Sequence, residues 1–555
     1  MKLKKIPYGL ADFKRIKTEN WLYVDKTKFI PLVENEQSFL YFLRPRRFGK
    51  SLFLNMLIAY YDVFYRDEFD TIFQDSWILE NQTELKSSFY ILKFDFSAVD
   101  ITDYENSFRE NLFLTIYDFT IKYNLNIKLD KSINVINNIQ ILISHCKSEQ
   151  LPLYIFIDEY DNFANKLLAS SIDEYQSMVT DRKASYKEFF TMLKAGTSDN
   201  DSAIKKMFFT GVTPVALYDV SSGSNIGMNI SLLKKFNDMV GITKEELETL
   251  IHYYGFDDIK EKIIARCDDW YDSYRFNEDI SYTIYNSDMI FYYLNYLIEN
   301  NQEVKEFIDN NVRTDYSKLK FLVYTNKKLN GNFEMLNNLI SGIPVVTTQL
   351  KTNFSAFELS NSENFKSFIF SLGFLTMEKY RVGYKLSIPN QTMKKLLSEF
   401  IDYGYKSLDN YKINTDEFNN QLLDLAYDRD LSCFHYLADI IENSSSLRDY
   451  IRGEEHIKAY FLAYLNLNNF YETYSEREFN KGFADILLEP AKDEVPFGIM
   501  IELKYLKKED SDTVLEQKKE DAKAQLTKYD KGDKYLKIII IFRRWEMVFC
   551  EEFLV

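Results

Sequence analysis

Two sets of residues in this chain have the types and spacing to do chemistry on phosphates. The first ends the stretch Arg44-Pro45-Arg46-Arg47-Phe48-Gly49-Lys50-Ser51. Gly49 lets the backbone turn close to a phosphate, Lys50 offers an ammonium to the outer phosphates, and the Ser51 hydroxyl can ligate Mg2+. A general phosphate loop carries another glycine five positions before Gly49, and Arg44 stands there instead. Asp158-Glu159 ends a fully apolar run, Leu153 to Ile157. Asp158 is expected to hold Mg2+, directly or through water, and Glu159 to orient an attacking water. Thr210 or Thr213, after the run Lys206 to Phe209, could sense an outer phosphate. The plainer alternative is that Lys50 and Asp158 form a surface ion pair. The second set is Asp485, Glu502 and Lys504. Two acids that hold Mg2+ and a lysine that positions a water or the scissile phosphate suit hydrolysis of a phosphodiester.

These residues must be delivered by strand ends. From Lys5 to about Phe276, short β-rich apolar runs alternate with helical patterns, the rhythm of a parallel sheet with crossover helices. The expected core strands are Phe39–Leu43, Tyr90–Phe96, Leu153–Ile157 and Lys206–Thr210. After Lys50, Phe53, Leu54, Leu57, Ile58 and Tyr61 recur at helical spacing, so the loop opens a helix whose positive N-terminal end faces the phosphates. From about Thr243 to Val382 the pattern is mainly helical. Ile388-Pro389-Asn390 breaks the chain, helical periodicity resumes, and Asn443-Ser444-Ser445-Ser446 reads as a linker. The remainder reads as helix, strand, strand, helix, strand. Glu502 and Lys504, two apart on one strand, share a face, and a simple hairpin places Asp485 nearby. The division expected is 1–285 for the phosphate-binding domain, 286–390 for a helical lid or associated domain, 391–446 for a helical linker, and 447–555 for the domain with the second set.

Composition bounds the partners. A chain of 555 residues is too long for one core. The net charge of −16 argues against bulk attraction to nucleic acid, so any contact with it must be local. Cys146, Cys267, Cys433 and Cys550 lie far apart, and His145, His252, His435 and His456 are scattered, which suits neither a disulfide framework nor a zinc site. No apolar run approaches the roughly 18 residues needed to span a bilayer. The basic start, Met1 to Lys5, lacks the apolar stretch of a secretory signal, so a cytoplasmic location and no membrane partner are expected.

A longer string of motifs carries a resemblance. Ile6-Pro7-Tyr8-Gly9 is followed by Tyr23-Val24-Asp25-Lys26-Thr27, the arginine-rich loop, Ile157-Asp158-Glu159-Tyr160-Asp161 and Thr210-Gly211-Val212-Thr213-Pro214. Phe236-Asn237-Asp238-Met239 and Trp270-Tyr271-Asp272-Ser273-Tyr274-Arg275-Phe276 complete it. In this order they resemble the AAA-ATPase-like proteins with a C-terminal nuclease-like domain. That family's loop reads Arg-Arg-Phe-Gly-Lys-Ser, so Arg44 departs from the general pattern and not from the family's. Ser273 replaces a more usual glycine. Asp485 with Glu502-Leu503-Lys504 resembles the PD-(D/E)xK superfamily, and Gln525-Leu526-Thr527-Lys528-Tyr529 resembles the Gln-x-x-x-Tyr element of its RecB-type branch. In that branch Gln and Tyr face the active site and DNA. Glu455, at the start of an apolar helix, falls where this superfamily often supplies another metal-binding acid.

The resemblance implies an α/β fold with an AAA-like P-loop parallel sheet and a helical domain, plus a separate α/β restriction-endonuclease-like domain. ATP and Mg2+ are the cofactors it implies. Arg47, Gly49, Lys50, Ser51, Asp158 and Thr210 would serve the nucleotide, with Glu159 beside them. Asp485, Glu502, Lys504 and Gln525 would serve Mg2+-dependent phosphodiester cleavage. Arg44, Arg46 and Arg47 are expected on phosphate rather than on an acidic partner, and Arg275 in a structural salt bridge rather than at a phosphoryl group. The expected function is DNA cleavage under nucleotide control, with DNA preferred over RNA and a homo-oligomer left open. The alternative is a nucleotide-binding switch or scaffold that recruits protein partners and cuts nothing.

Overall fold

A parallel sheet must carry its chain back to the same edge after every strand, and the sequence between residues 39 and 229 supplies helices for each return. In the computed structural model, β1 (Phe39–Leu43), β2 (Tyr90–Asp95), β3 (Leu153–Asp158), β4 (Ile204–Gly211) and β5 (Met228–Asn229) form one sheet in the order β2-β3-β4-β1-β5. Every pairing in it is parallel. The structure describes residues 3–554 apart from 198–200, 222–226, 310–323, 326–327, 330, 409–410, 480–481 and 529–533, so Tyr529 lies outside the described residues. The four expected core strands are present, each within two residues of its expected bounds. All six residues of β3 are buried, which is why that strand reads as a continuous apolar run rather than an alternating one.

Strand order decides what meets at the rim. Because β4 lies between β1 and β3, Thr210 pairs with Phe42 of β1 while Phe209 pairs with Ile157 of β3. The carboxyl ends of β1, β3 and β4 therefore reach one edge together, the place where open α/β sheets bind ligands. Helix Lys50–Tyr61 leaves β1 there. The helical stretch that follows includes Lys244–Tyr253, Lys260–Tyr271 and Ser287–Asn300. The first of these starts with Thr243 and Glu246 in a reciprocal capping box. Ser273 sits at φ +75°, a left-handed conformation that glycine adopts without strain, which is the physical reason a glycine suits that position better.

The chain divides into two units, residues 1–312 with 347–384, and residues 313–346 with 385–555. Short strands β6 (Tyr324–Thr325), β7 (Lys328–Leu329), β8 (Val345–Thr347), β9 (Thr376–Tyr380) and β10 (Gly383–Ser387) fall between the two large sheets in sequence. The second unit contains helices Gly331–Ile340, Gln391–Lys406, Thr415–Asp428, Ser432–Asn443 and Glu454–Leu465. Its sheet follows chain order: β11 (Tyr471–Phe479), β12 (Gly482–Pro490), β13 (Gly498–Leu506), β14 (Tyr535–Arg543) and β15 (Glu546–Glu552). Helix Asp512–Lys528 makes the crossover between β13 and β14, the parallel pair. Sequence reading expected three strands here. The two it missed, β11 and β15, are the edges, where charged residues break the apolar pattern and, on β15, the exposed Glu546 and Glu551 discourage pairing with another chain.

Met500 and Leu506 of β13 pack with Ile539, Ile541, Ala522 and Leu526 in one buried cluster. By the two-residue alternation of a strand, Glu502 and Lys504 face the same way, toward helix Asp512–Lys528.

Gly211 ends β4 where a Cβ would come within 2.5 Å of Tyr160 Cε1 and 2.7 Å of Asp161 Oδ1. Both neighbours are buried, so neither can yield easily. Gly211→Ala is expected to lower Tm, at an overpacking cost of roughly 1–3 kcal/mol. An unchanged Tm in thermal unfolding would contradict this packing.

Candidate functional site

The phosphate loop begins with a buried cation. Arg44 is 1% exposed, and its guanidinium lies 4.5 Å from the Phe42 ring centroid and 4.0 Å from that of Phe276. Nη1 donates to the carbonyls of Leu43 at 3.0 Å and Ser231 at 2.5 Å, and Nη2 to that of Phe236 at 3.0 Å. Burial pushes its pKa down to about 9. The expectation that Arg44 contacts phosphate is therefore corrected: both of its terminal nitrogens are spent on backbone carbonyls, and it anchors the loop to residues 231–236. Arg46 Nη2 donates to Asn162 Oδ1 at 3.0 Å, and Arg47 Nη1 pairs with Asp288 Oδ2 at 3.2 Å. Arg275 is 3.8 Å from Glu378, the salt-bridge alternative.

Gly49, at φ +88°, begins helix Lys50–Tyr61 with no side-chain cap. The N–H groups of the first turn therefore have no intrahelical partner and point where an anion would sit. Ser51 is half-buried in that turn. Lys50 is buried, and its Nζ donates to the carbonyls of Arg44 and Pro45, 3.0 Å each. Burial lowers its pKa, while Glu159, Asp158 and Asp161 pull it back up. Two neutral carbonyls are weaker partners for an ammonium than phosphate oxygens are.

Across from the loop, Thr210 Oγ1 donates to Asp158 Oδ1 at 2.5 Å, and the Glu159 N–H donates to the same oxygen at 3.1 Å. Glu159 stands at φ +50°, and burial raises its pKa against the opposing pull of Lys50 and Arg46. Asp161 received no role from the sequence, yet it fastens the end of β4. It accepts from the Val212 N–H at 3.1 Å, the Thr213 N–H at 2.7 Å and Thr213 Oγ1 at 3.1 Å. Its signal was its place two residues beyond Glu159 in the acidic run. Beside Gly49 lies a cleft whose walls include Pro7, Tyr23, Phe48, Met239, Ile242 and Phe291, an apolar space adjoining the helix N-terminus.

In the second unit, β12 pairs with β13 from Leu488 with Ile499 to Ile486 with Ile501, so the pairing stops one residue short of Asp485 and Glu502. Glu502 is 1% exposed and Lys504 9%. Lys504 Nζ lies 2.5 Å from Glu502 Oε1 and 3.6 Å from Asp485 Oδ2. The Leu503 N–H donates to Asp485 Oδ2 at 2.9 Å. Glu502 Oε2 is buried with no hydrogen-bond partner. Burial first, then the Asp485 carboxylate, raise the Glu502 pKa, while Lys504 lowers it; the two acids hold that of Lys504 up. Gln525, on helix Asp512–Lys528, has a buried Oε1 that is likewise unpartnered.

The structure separates the two acids that open helix Glu454–Leu465. Glu455 is exposed, whereas Glu454 is half-buried within electrostatic reach of Lys504 and Asp485. Sequence reading named the exposed one, since adjacent acids in a first turn carry no mark of which faces inward. Among the described residues no three Asp, Glu, His or Cys side chains form a preformed metal cage. The donors nonetheless fit a hard divalent cation: Glu502 Oε2 lacks a partner, Asp485 reaches the same lysine as Glu502, and all donors are carboxylate oxygens.

Residues 7–221 match the family described as "predicted AAA-ATPase", and residues 452–553 match the PD-(D/E)XK nuclease superfamily. The first unit thus carries an AAA-ATPase-like stretch and the second a stretch of the PD-(D/E)XK nuclease superfamily. A protein of Azotobacter chroococcum mcd 1, the "uncharacterized protein in vnfD 5'region", is 24% identical over 420 residues, which cover 73% of this chain and 71% of that one. Among solved structures, Cdc6p from Pyrobaculum aerophilum aligns at 11% identity over 72% of this chain and 96% of its own, with a TM-score of 0.27. The Aeropyrum pernix ORC2 protein, in ADPNP-ADP complexes, aligns at 11% identity over 73% and 96%, with a TM-score of 0.32. The fold assignment rests on strand order and the family matches, not on these two alignments. No helix among the described residues is long and apolar enough to cross a membrane.

The Glu502 site carries a pH signature. A carboxyl whose pKa is raised on folding keeps its proton where the unfolded chain has lost it, so its contribution is full below the unfolded value of about 4.5 and declines as pH rises through the folded value. Glu502→Gln stays neutral throughout. In metal-free buffer the Tm of Glu502→Gln is expected to gain on wild type between about pH 4.5 and about pH 8. A variant that loses ground over that range would contradict the assignment.

Proposed function

We propose that the first unit binds ATP with Mg2+ and that the second cleaves DNA phosphodiesters, with nucleotide state controlling cleavage. The observation that supports the nuclease half most is the buried, unpartnered oxygen of Glu502 beside Asp485 and Lys504. Asp485 and Glu502 would hold the cation, with Glu454 behind them. Lys504 would orient a water or the scissile phosphate, and Gln525 would face the same space. Bound Mg2+ supplies positive charge to the developing phosphorane and lowers the pKa of a coordinated water.

In the first unit, Gly49 and Lys50 would hold the phosphates, with Arg47 beside them. Ser51 and Asp158 would hold the nucleotide's Mg2+, Thr210 would touch the outer phosphate, and Glu159 would orient a water. The apolar cleft beside Gly49 would take the base. The second reading, a nucleotide-dependent switch or scaffold without cleavage, is favoured by the lack of a preformed three-acid cage among the described residues.

Cleavage of linear duplex DNA, single-stranded DNA and RNA, with and without Mg2+ and ATP, separates the two. Asp485→Ala and Lys504→Ala are each expected to lose roughly 10²-fold or more in rate. Cleavage that survives both substitutions would sink the nuclease reading. Lys50→Ala is expected to weaken ATP binding about tenfold or more, because it removes a charge-assisted contact. Unchanged affinity in a titration would remove the loop from the account.

A further inference from the structure

The phosphate loop is stitched to the first turn of helix Ser287–Asn300 by main-chain acceptors. Asn286 Nδ2 donates to the Arg46 carbonyl at 3.2 Å, and both Ser287 Oγ and the Asp288 N–H donate to the Arg47 carbonyl, 3.2 Å each. Asn286 also caps the helix through the Met289 N–H. The loop is closed from another side by the Gly241 N–H, which donates to the Phe48 carbonyl at 3.0 Å. None of these bonds uses a group that a phosphate needs.

One contact in this seam does. Arg47 Nη1 reaches Asp288 Oδ2 at 3.2 Å, and the two side chains are 30% and 21% exposed. Asp288 also lies in the field of Lys50, with Asp309 acting against both cations. One carboxylate therefore faces two cations of the loop that phosphates would share. A carboxylate and a phosphate offer a guanidinium the same kind of oxygen acceptor, and the phosphate chain brings more negative charge. The stitching bonds would persist through an exchange of partners, so the helix would stay attached while its first turn changes its charge balance.

We propose that Arg47 is an exchange point: without nucleotide it pairs with Asp288, and the phosphates of a bound nucleoside triphosphate take it over. Asp288 is then left unpaired at the first turn of helix Ser287–Asn300, which gives that helix a means of registering the phosphates. The inference rests on the nucleotide-binding reading and adds a competing acid to it.

The test is a titration of the full chain with ATP, a non-hydrolysable ATP analogue and adenosine. Asp288→Asn keeps the size of the side chain and removes the competitor, so both triphosphates should bind about threefold tighter, within the range for releasing a partly exposed ion pair. Adenosine affinity should not change. Arg47→Gln should weaken the triphosphates only, and in the double variant the gain from Asp288→Asn should vanish. That loss of gain is what a purely structural role would not produce. Wild-type protein that binds neither triphosphate would overturn the nucleotide reading and this inference together. Wild-type binding with no gain in Asp288→Asn, or a gain that persists without Arg47, would overturn the exchange alone.

Discussion

A guanidinium sealed between two aromatic rings sets the start of the phosphate loop. Arg44 follows β1 directly, and its donors go to the carbonyls of Leu43, Ser231 and Phe236 while Phe42 and Phe276 cover its faces. A buried cation without a hydrogen-bonded carboxylate is costly unless most of its polar edge is satisfied, and here carbonyl dipoles and ring quadrupoles share that work. The constraint runs both ways. Arg44 pins the loop, and the loop's exit from β1 brings Gly49 and Lys50 to the rim that Asp158 and Thr210 reach from β3 and β4.

Both candidate centres hold a lysine in reserve among weaker or competing partners. Lys50 rests on two carbonyls with three acids in its field. Lys504 rests on Glu502 with Asp485 close by. The difference is in the acids. Around Lys50 two of the three have other bonds to make: Asp158 accepts from Thr210 and Asp161 from Val212 and Thr213, so they define a frame. Around Lys504 one carboxylate oxygen has no partner, and the electrostatics favour a cation there.

Much of this was legible from the residues. A fully buried parallel strand must be apolar throughout, so β3 and the acids at its end stood out, and the alternation of β13 placed Glu502 and Lys504 on one face. The illegible parts share a physical cause, which is that they depend on what a side chain meets far away in sequence. Arg44 looked like a phosphate contact because nothing local shows that Phe276 and the carbonyls at 231 and 236 surround it. Glu454 and Glu455 are equivalent in composition and differ only by 100° around a helix, which tertiary packing alone resolves. The edge strands β11 and β15 were hidden by the charged residues in their sequences. Asp161 acts on loop atoms some fifty residues away, and no short-range pattern reports that.

The central claim is that Lys50 changes partners when nucleotide arrives. A crystal structure of the full chain with a non-hydrolysable ATP analogue and Mg2+ tests it most directly. The account predicts the phosphates at the N-terminus of helix Lys50–Tyr61, with Lys50 Nζ moved from the carbonyls of Arg44 and Pro45 onto phosphate oxygens and Arg44 still between Phe42 and Phe276. Nucleotide bound elsewhere, with Lys50 still on those carbonyls, would contradict it.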